Sequence, residues 1–193
     1  MLRKKLSKYN LILASGSPRR QHLFEELNIP FTIEVKEINE LYPEDLKAAE
    51  ITDYLAELKS KSFTNLQQND LLITSDTIVW FEGMAIGKPK DNDDAFRMLK
   101  RMSGKKHCVY TSISIKSMSF KKVFNDKTIV EFEEFTDEEI NYYLDNFNPY
   151  DKAGSYGIQD WIGLIGVKRI EGSYFNVMGL PVHKLYKELL EIA

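Results

Sequence analysis

Residues Leu11–Leu27, LILASGSPRRQHLFEEL, decide the fold class. Leu11, Ile12, Leu13 and Ala14 form a short apolar run that reads as a buried strand. Ser15, Gly16 and Ser17 make a small-residue turn, and Pro18 suits the first position of a helix. Ser17 stands at the N-cap, where its hydroxyl can satisfy a free backbone N–H. Leu23, Phe24 and Leu27 supply the apolar face of the helix. A strand that feeds a Gly/Ser turn and a helix start gathers unpaired N–H groups at the positive end of a helix dipole. Arg19 and Arg20 sit in that first turn, where cations are unfavourable unless an anion arrives. A phosphate chain is the simplest such anion, and two solvated arginines on an ordinary strand–turn–helix unit is the competing reading. The spacing is neither GxxxxGK[ST] nor GxGxxG.

Outward from this unit, the chain alternates helices and strands. Phe31–Val35 reads as a second strand, followed by an acidic irregular stretch, Lys36–Asp45. Ile51, Leu55, Leu58 and Ser62 share one face of a helix from about Ala48 to Asn65, with Lys59 at the edge of that face. Leu71, Leu72 and Ile73 run into Ser75, Asp76 and Thr77, and the apolar run resumes at Ile78–Phe81. An unpaired carboxylate inside a buried strand costs several kcal/mol. Asp76 must therefore be neutralised, bound to a metal, or placed at a strand break; a plain turn or helix-cap role is the alternative.

Gly83 marks a turn, Pro89 stops a strand, and a helix from Asp91 or Asn92 to Met102 ends at Ser103–Gly104. Val109, Thr111, Ile113 and Ile115 alternate with polar residues as a half-buried strand. Phe120–Phe124 and Thr128–Phe132 read as a hairpin across Asn125–Asp126. Thr136 and Glu139 have capping-box spacing and open a helix to about Asn146. After a loop over Asn148–Gly157 come a strand through Val167–Ile170, a turn at Gly172 and a closing helix, Pro181–Ile192. The pattern gives an α/β fold on a mixed sheet.

Composition narrows the classes. The 193 residues fit a single domain, 1–193, with room for two lobes, and 43% hydrophobic with 28% charged residues is an ordinary globular balance. The net charge of −3 gives no broad footprint for polymeric nucleic acid. One cysteine, Cys108, excludes an intrachain disulfide and fits a reducing compartment. No stretch approaches the roughly 20 apolar residues of a membrane span, so a cytoplasmic protein without a membrane partner is the expectation; oligomeric state is not readable, and a homodimer stays open.

The polar residues that interrupt apolar elements are Ser15, Arg19, Arg20, Glu40, Lys59, Asp76, Lys88, Lys152 and Gln159. Cations and carboxylates at strand ends and turns are what a metal–triphosphate site requires. The fragments LASGSPRRQHL, LAELKS, SDTIV, GKP, MLKRMSGKKHCVYTS, DKAGSYGIQ and GSYFNVMGLP, in this order, resemble the Maf family of nucleoside triphosphate pyrophosphatases, nearly end to end.

That resemblance implies an elongated mixed sheet with flanking helices and two lobes around a central cleft, similar to inosine triphosphate pyrophosphatases. It implies cleavage of a nucleoside triphosphate between the α- and β-phosphates with a divalent cation, Mg²⁺ or Mn²⁺. The family's proton acceptor falls on Asp76, which also serves as a metal ligand with Glu40. Arg19, Thr77 and Gln159 match positions that govern base choice, in the manner of the branch acting on dTTP and UTP rather than on 7-methyl-GTP. Ser15, Arg20, Lys59, Lys88 and Lys152 carry over as phosphate contacts. Departures are Asn39 before Glu40, Ser60 after Lys59, Asp160 where glycine usually follows the glutamine, and Ser112 in place of glycine, read as a packing difference. A nucleotide-binding regulator of septum formation or cell shape is the alternative that the family context offers.

Overall fold

The computed structural model describes residues 2–192. In chain order its helices and strands are α1 (Leu2–Lys5), β1 (Asn10–Leu13), α2 (Pro18–Glu26), β2 (Thr32–Ile33), α3 (Ala49–Lys61), β3 (Asp70–Phe81), β4 (Met84–Ile86), α4 (Asn92–Met102), β5 (Lys106–Lys116), β6 (Lys121–Phe132), α5 (Asp137–Phe147), α6 (Trp161–Gly166), β7 (Val167–Glu171), α7 (Tyr174–Val177) and α8 (Val182–Ile192). The strands hydrogen-bond in the order β2-β1-β3-β5-β6-β7, with β4 on β3. β1 is parallel to β2 and β3, whereas β4 is antiparallel to β3 and β7 to β6. The sheet is therefore mixed, with helices flanking it, as the alternation of elements implied. The chain resolves into two compact units: Met1–Asp76 with Thr111–Asp126 and Gly179–Ala193, and Thr77–Tyr110 with Lys127–Met178.

In the first unit, β1 and α2 form as the opening stretch dictates, with Pro18 in the first helical turn. Ser17 occupies the N-cap position, but its side chain makes no capping hydrogen bond. The turn closes on Ser15 instead, whose Oγ accepts from the Ser17 N–H at 3.3 Å. α3 buries Ile51, Thr52, Leu55, Ala56 and Ser60. It stops at Lys61, earlier than periodicity suggests, because the Ser62 and Phe63 N–H groups donate to Lys59 and Ser60 three residues back, tightening the last turn. Lys121–Phe132 is one unbroken strand, not two joined at Asn125–Asp126. The turn lies at Ser117–Phe120, where the Ser117 N–H donates to the Phe120 carbonyl at 2.9 Å. Asn125 and Asp126 remain in the strand because their side chains are engaged, Asn125 by Asp53 at 3.0 Å and Asp126 by Lys184 at 2.8 Å.

β5 shows the expected alternation only in its first half, since every residue from Thr111 to Ile115 is buried. Ser112 is covered by α3, with the Thr52 hydroxyl 2.6 Å from its own.

In the second unit, β3 and β4 are joined by Glu82 and Gly83, at φ of 50° and 81°, the geometry of a two-residue I′ hairpin turn. α4 is capped by Asp91, which accepts from the Asp94 N–H at 2.8 Å, and buries Ala95, Leu99 and Met102. α5 carries the full Thr136–Glu139 capping box. These elements enclose a core that includes Val79, Phe81, Leu99, Val130, Phe132, Tyr143, Tyr156 and Ile162. The short helices α6 and α7 carry no readable periodicity and were not expected.

Candidate active site

β3 is buried and continuous through Asp76, which is itself 6% exposed. No strand break relieves that carboxylate, so a cation must. Lys59, near the C-terminal end of α3, places Nζ 2.6 Å from Asp76 Oδ1 and 3.0 Å from Glu40 Oε1. The same Nζ lies 3.5 Å from the Ser75 carbonyl. Arg20, in the first turns of α2, donates from Nη1 to that carbonyl at 2.9 Å and from Nε to the Gly179 carbonyl at 2.8 Å. Both cations thus hang on the peptide oxygen beside Asp76. Burial pushes the Asp76 carboxyl above its ordinary range, while Lys59 and then Arg20 pull it back. Burial also lowers the Arg20 guanidinium, opposed by Asp76, and the neighbouring Arg19 lowers it further.

Parallel pairing explains why α2 delivers these groups here. Leu13 of β1 sits opposite Ile73 of β3, and the Ala14 N–H donates to the Ile73 carbonyl at 2.8 Å. Ser15 and Ser75 are then each two residues further on. Ser15 is buried, and its carbonyl accepts from Gln21 Nε2 at 2.9 Å, closing the turn. Of the residues singled out from sequence, Ser15, Arg19, Arg20, Glu40, Lys59 and Asp76 belong to this first unit. Among them Arg20, Glu40, Lys59 and Asp76 form one electrostatically linked group.

The second unit holds Thr77, Lys88, Lys152 and Gln159. Thr77 is half-buried on β3, and Lys88 is exposed after β4. The Gly87 carbonyl accepts from the Gly154 N–H at 2.9 Å, which ties the turn bearing Lys88 to the one bearing Lys152. Lys152 Nζ is 2.6 Å from Asp151 and 3.9 Å from Asp160. Gln159 Oε1 is buried and has no hydrogen-bond partner, an acceptor left unspent where such atoms are normally satisfied. Asp160 is anchored: its Oδ2 accepts from the Tyr143 hydroxyl at 2.8 Å, and the Tyr143 oxygen accepts from the Gly157 N–H at 3.1 Å. Burial pushes the Tyr143 hydroxyl well above its ordinary range. Gly157 is a fitted position, since a Cβ there would lie 2.4 Å from Asp160 Oδ2 and 2.9 Å from Gln159 Nε2.

Sequence reading missed Gly179 and Tyr143. Gly179 acts through its carbonyl, at a φ of 107°, and Tyr143 has the identity of an ordinary aromatic on a helix face, so only the GSYFNVMGLP fragment offers a hint.

For a divalent cation, the available donors are the Glu40 and Asp76 carboxylates, already gathered on a single ammonium. Among the described residues no group of three or more His, Cys, Asp or Glu side chains could hold a metal. Two carboxylates completed by substrate phosphates is the usual way Mg²⁺ is bound at phosphoryl-transfer sites, and Mn²⁺ accepts the same hard oxygens. The donor set fits. Among the described residues no helix is long and apolar enough to cross a membrane.

Residues 10–192 match the family model described as Maf-like protein. A dTTP/UTP pyrophosphatase of Flavobacterium psychrophilum is 55% identical over 191 residues, covering 98% of each chain. That of Christiangramia forsetii is 54% identical over 100% of this chain and 98% of its own. That of Bacteroides thetaiotaomicron is 45% identical over 97% of this chain and 98% of its own. Among solved structures, the Staphylococcus aureus Ham1 protein superimposes with a TM-score of 0.51 at 14% identity, covering 94% of this chain and 98% of that one. At that identity the likeness speaks for the fold alone.

Proposed function

This chain belongs to the Maf-like protein family, and we propose that it hydrolyses dTTP and UTP to the nucleoside monophosphate and pyrophosphate. Relatives of that printed name at 55% and 54% identity, aligned over nearly the whole chain, support the substrate class. The observation that carries the chemistry is the buried Asp76 carboxylate, with Lys59 on one oxygen and Arg20 on the adjoining carbonyl.

The reaction is attack of water on the α-phosphorus: an O–P bond forms, the bond to the β-phosphate bridging oxygen breaks, and pyrophosphate leaves. The water's proton passes to the Asp76 carboxylate, whose affinity for it burial raises. Lys59, Arg20 and the Ser15 turn meet phosphate oxygens, with Lys88 and Lys152 in the same role. Glu40 and Asp76 would hold a divalent cation, Mg²⁺ or Mn²⁺, which when bound neutralises charge on the phosphates and polarises them. Gln159 offers its unspent Oε1 as an acceptor and its amide as a donor, matching the N3–H and O4 edge of thymine and uracil. Arg19 and Thr77 act with it in base choice. A regulator that binds nucleotide without turnover would gain little from a carboxylate among phosphate-binding cations.

The test is a nucleotide panel in which pyrophosphate and orthophosphate are separated, run on the wild type and on Asp76→Asn. Pyrophosphate from dTTP and UTP is expected, with turnover falling about 10²–10⁴-fold in the variant while nucleotide binding persists. Nucleoside diphosphate with orthophosphate as main products would overturn the reaction. Equal rates on 7-methyl-GTP would overturn the base assignment.

A further inference from the structure

Lys59 spends its ammonium entirely on oxygen: Asp76 Oδ1 at 2.6 Å, Glu40 Oε1 at 3.0 Å and the Ser75 carbonyl at 3.5 Å. An ammonium has three N–H donors, so all three are engaged, and two of them hold one oxygen of each carboxylate proposed as a metal ligand. A divalent cation would need those oxygens at about 2.1 Å, nearer than any ammonium contact. Two cations on the same oxygen atoms would place like charges within a few ångströms of each other beside the buried Asp76 carboxylate, so they exclude one another there.

Formal charge sharpens the point. Arg20, Glu40, Lys59 and Asp76 sum to zero, so the group is balanced as it stands. Adding a divalent cation alone leaves two uncompensated positive charges. Adding a nucleoside triphosphate alone brings about four negative charges, and the two together offset one another in part.

We infer that Lys59 is a placeholder cation: it holds the Glu40 and Asp76 carboxylates until nucleotide draws its ammonium onto a phosphate oxygen, and only then do those carboxylates take the divalent ion. Lys59 and the metal therefore compete for Asp76, and metal binding is coupled to nucleotide binding. The Lys59 side chain is 18% exposed and the Glu40 side chain 50% exposed, so both partners of the exchange reach solvent. This inference rests on the metal-assisted reading above, and adds that the metal ligands are masked by the chain's own cation.

The experiment titrates Mn²⁺ against the full-length protein without nucleotide, following free Mn²⁺ by electron paramagnetic resonance. Wild type is compared with Lys59→Met, which keeps most of the unbranched side chain and removes its charge, and with Lys59→Gln should the first variant fail to fold by circular dichroism. Removal of the competitor should tighten Mn²⁺ binding by about tenfold or more, and adding Asp76→Asn to Lys59→Met should abolish the gain. With α,β-methylene dTTP present, the advantage of the variant should shrink or reverse. A folded variant that binds Mn²⁺ no tighter than wild type overturns the exchange, as does a gain that survives Asp76→Asn. If the wild type releases pyrophosphate from dTTP while the variant gains no affinity for Mn²⁺, the exchange fails and the function stands. If the variant's Mn²⁺ affinity rises as expected but the wild type cleaves no nucleotide, the function fails and the masking stands.

Discussion

His107, on β5, is 2% exposed and packs tilted against Phe132 and edge-on against Tyr156, with ring centroids 4.8 and 5.3 Å away. Its Nε2 lies 2.7 Å from the Tyr156 hydroxyl, and its Nδ1 has no partner. Burial without a compensating charge pushes the imidazole down from 6.5 to about 4. The unfolded chain therefore takes up a proton as pH falls below 6.5, and the folded chain only near 4. The contribution of neutral His107 to stability is fully present above 6.5 and is lost progressively towards pH 4. Its full size is about 3 kcal/mol, from the cost of 1.36 kcal/mol per unit, and about 2 kcal/mol of that falls between pH 7 and 4.5. The perturbation is His107→Gln, which keeps a hydrogen-bonding group for Tyr156 and removes the titration. Urea unfolding at a series of pH values, for wild type and variant, isolates the effect, since titrating carboxylates contribute equally to both. The wild type should lose about 2 kcal/mol more than the variant over that interval. Parallel pH dependences would refute the reasoning. Tyr156 lies three residues before Gln159, so acid should loosen the segment assigned to base choice before it disturbs α4 or α5.

Two further outcomes follow from the packing. Arg20→Lys replaces a planar fork with a point charge and gives up the paired bonds to Gly179 and Ser75, so thermal unfolding without nucleotide should show a loss of about 1–3 kcal/mol; an unchanged midpoint would mean that the guanidinium serves only phosphate. Gly157→Ala would press a Cβ against the Asp160 carboxylate that Tyr143 holds and against the Gln159 amide, so the loop must shift and kcat/KM for dTTP should fall relative to a purine triphosphate; an unaltered preference would detach this loop from base choice.

The fold was legible where burial obeys a period. α4 shows its apolar stripe plainly, the capping box marks the start of α5, and Gly83 marks a hairpin that the backbone builds at positive φ. It was misread where polar residues are satisfied by distant partners. Asn125–Asp126 has the composition of a turn, and nothing nearby in sequence reveals that Asp53 and Lys184 hold it in a strand. Ser17 has the right identity for a cap, but in a turn of three small residues the Ser15 hydroxyl takes the Ser17 N–H, and Ser17 makes no cap bond.

The site follows the same division. That Asp76 needed a partner was deducible from the cost of burying a charge, and Lys59 was among the residues singled out, but their pairing depends on the register between α3 and β3. The Thr74 hydroxyl of β3 donates to the Ala56 carbonyl of α3 at 2.6 Å, and a residue read only as a packing difference braces the same helix from β5. Ser112 Oγ donates to Asp53 Oδ1 at 2.6 Å, lies 2.6 Å from the Thr52 hydroxyl, and shares Asp53 with Asn125. Thr52 is buried and Ser112 is buried, so each bond lost there would leave a polar group uncompensated. The network fixes the N-terminal half of α3 against β5 and β6, and Lys59 stands two turns further along the same helix. A glycine at 112 would keep the close packing and remove the lock. Placement of the Lys59 ammonium thus draws on hydroxyls outside the Lys59–Asp76–Glu40 group, and such dependence has no signature in spacing because much of it is carried by hydrogen bonds between residues about sixty positions apart.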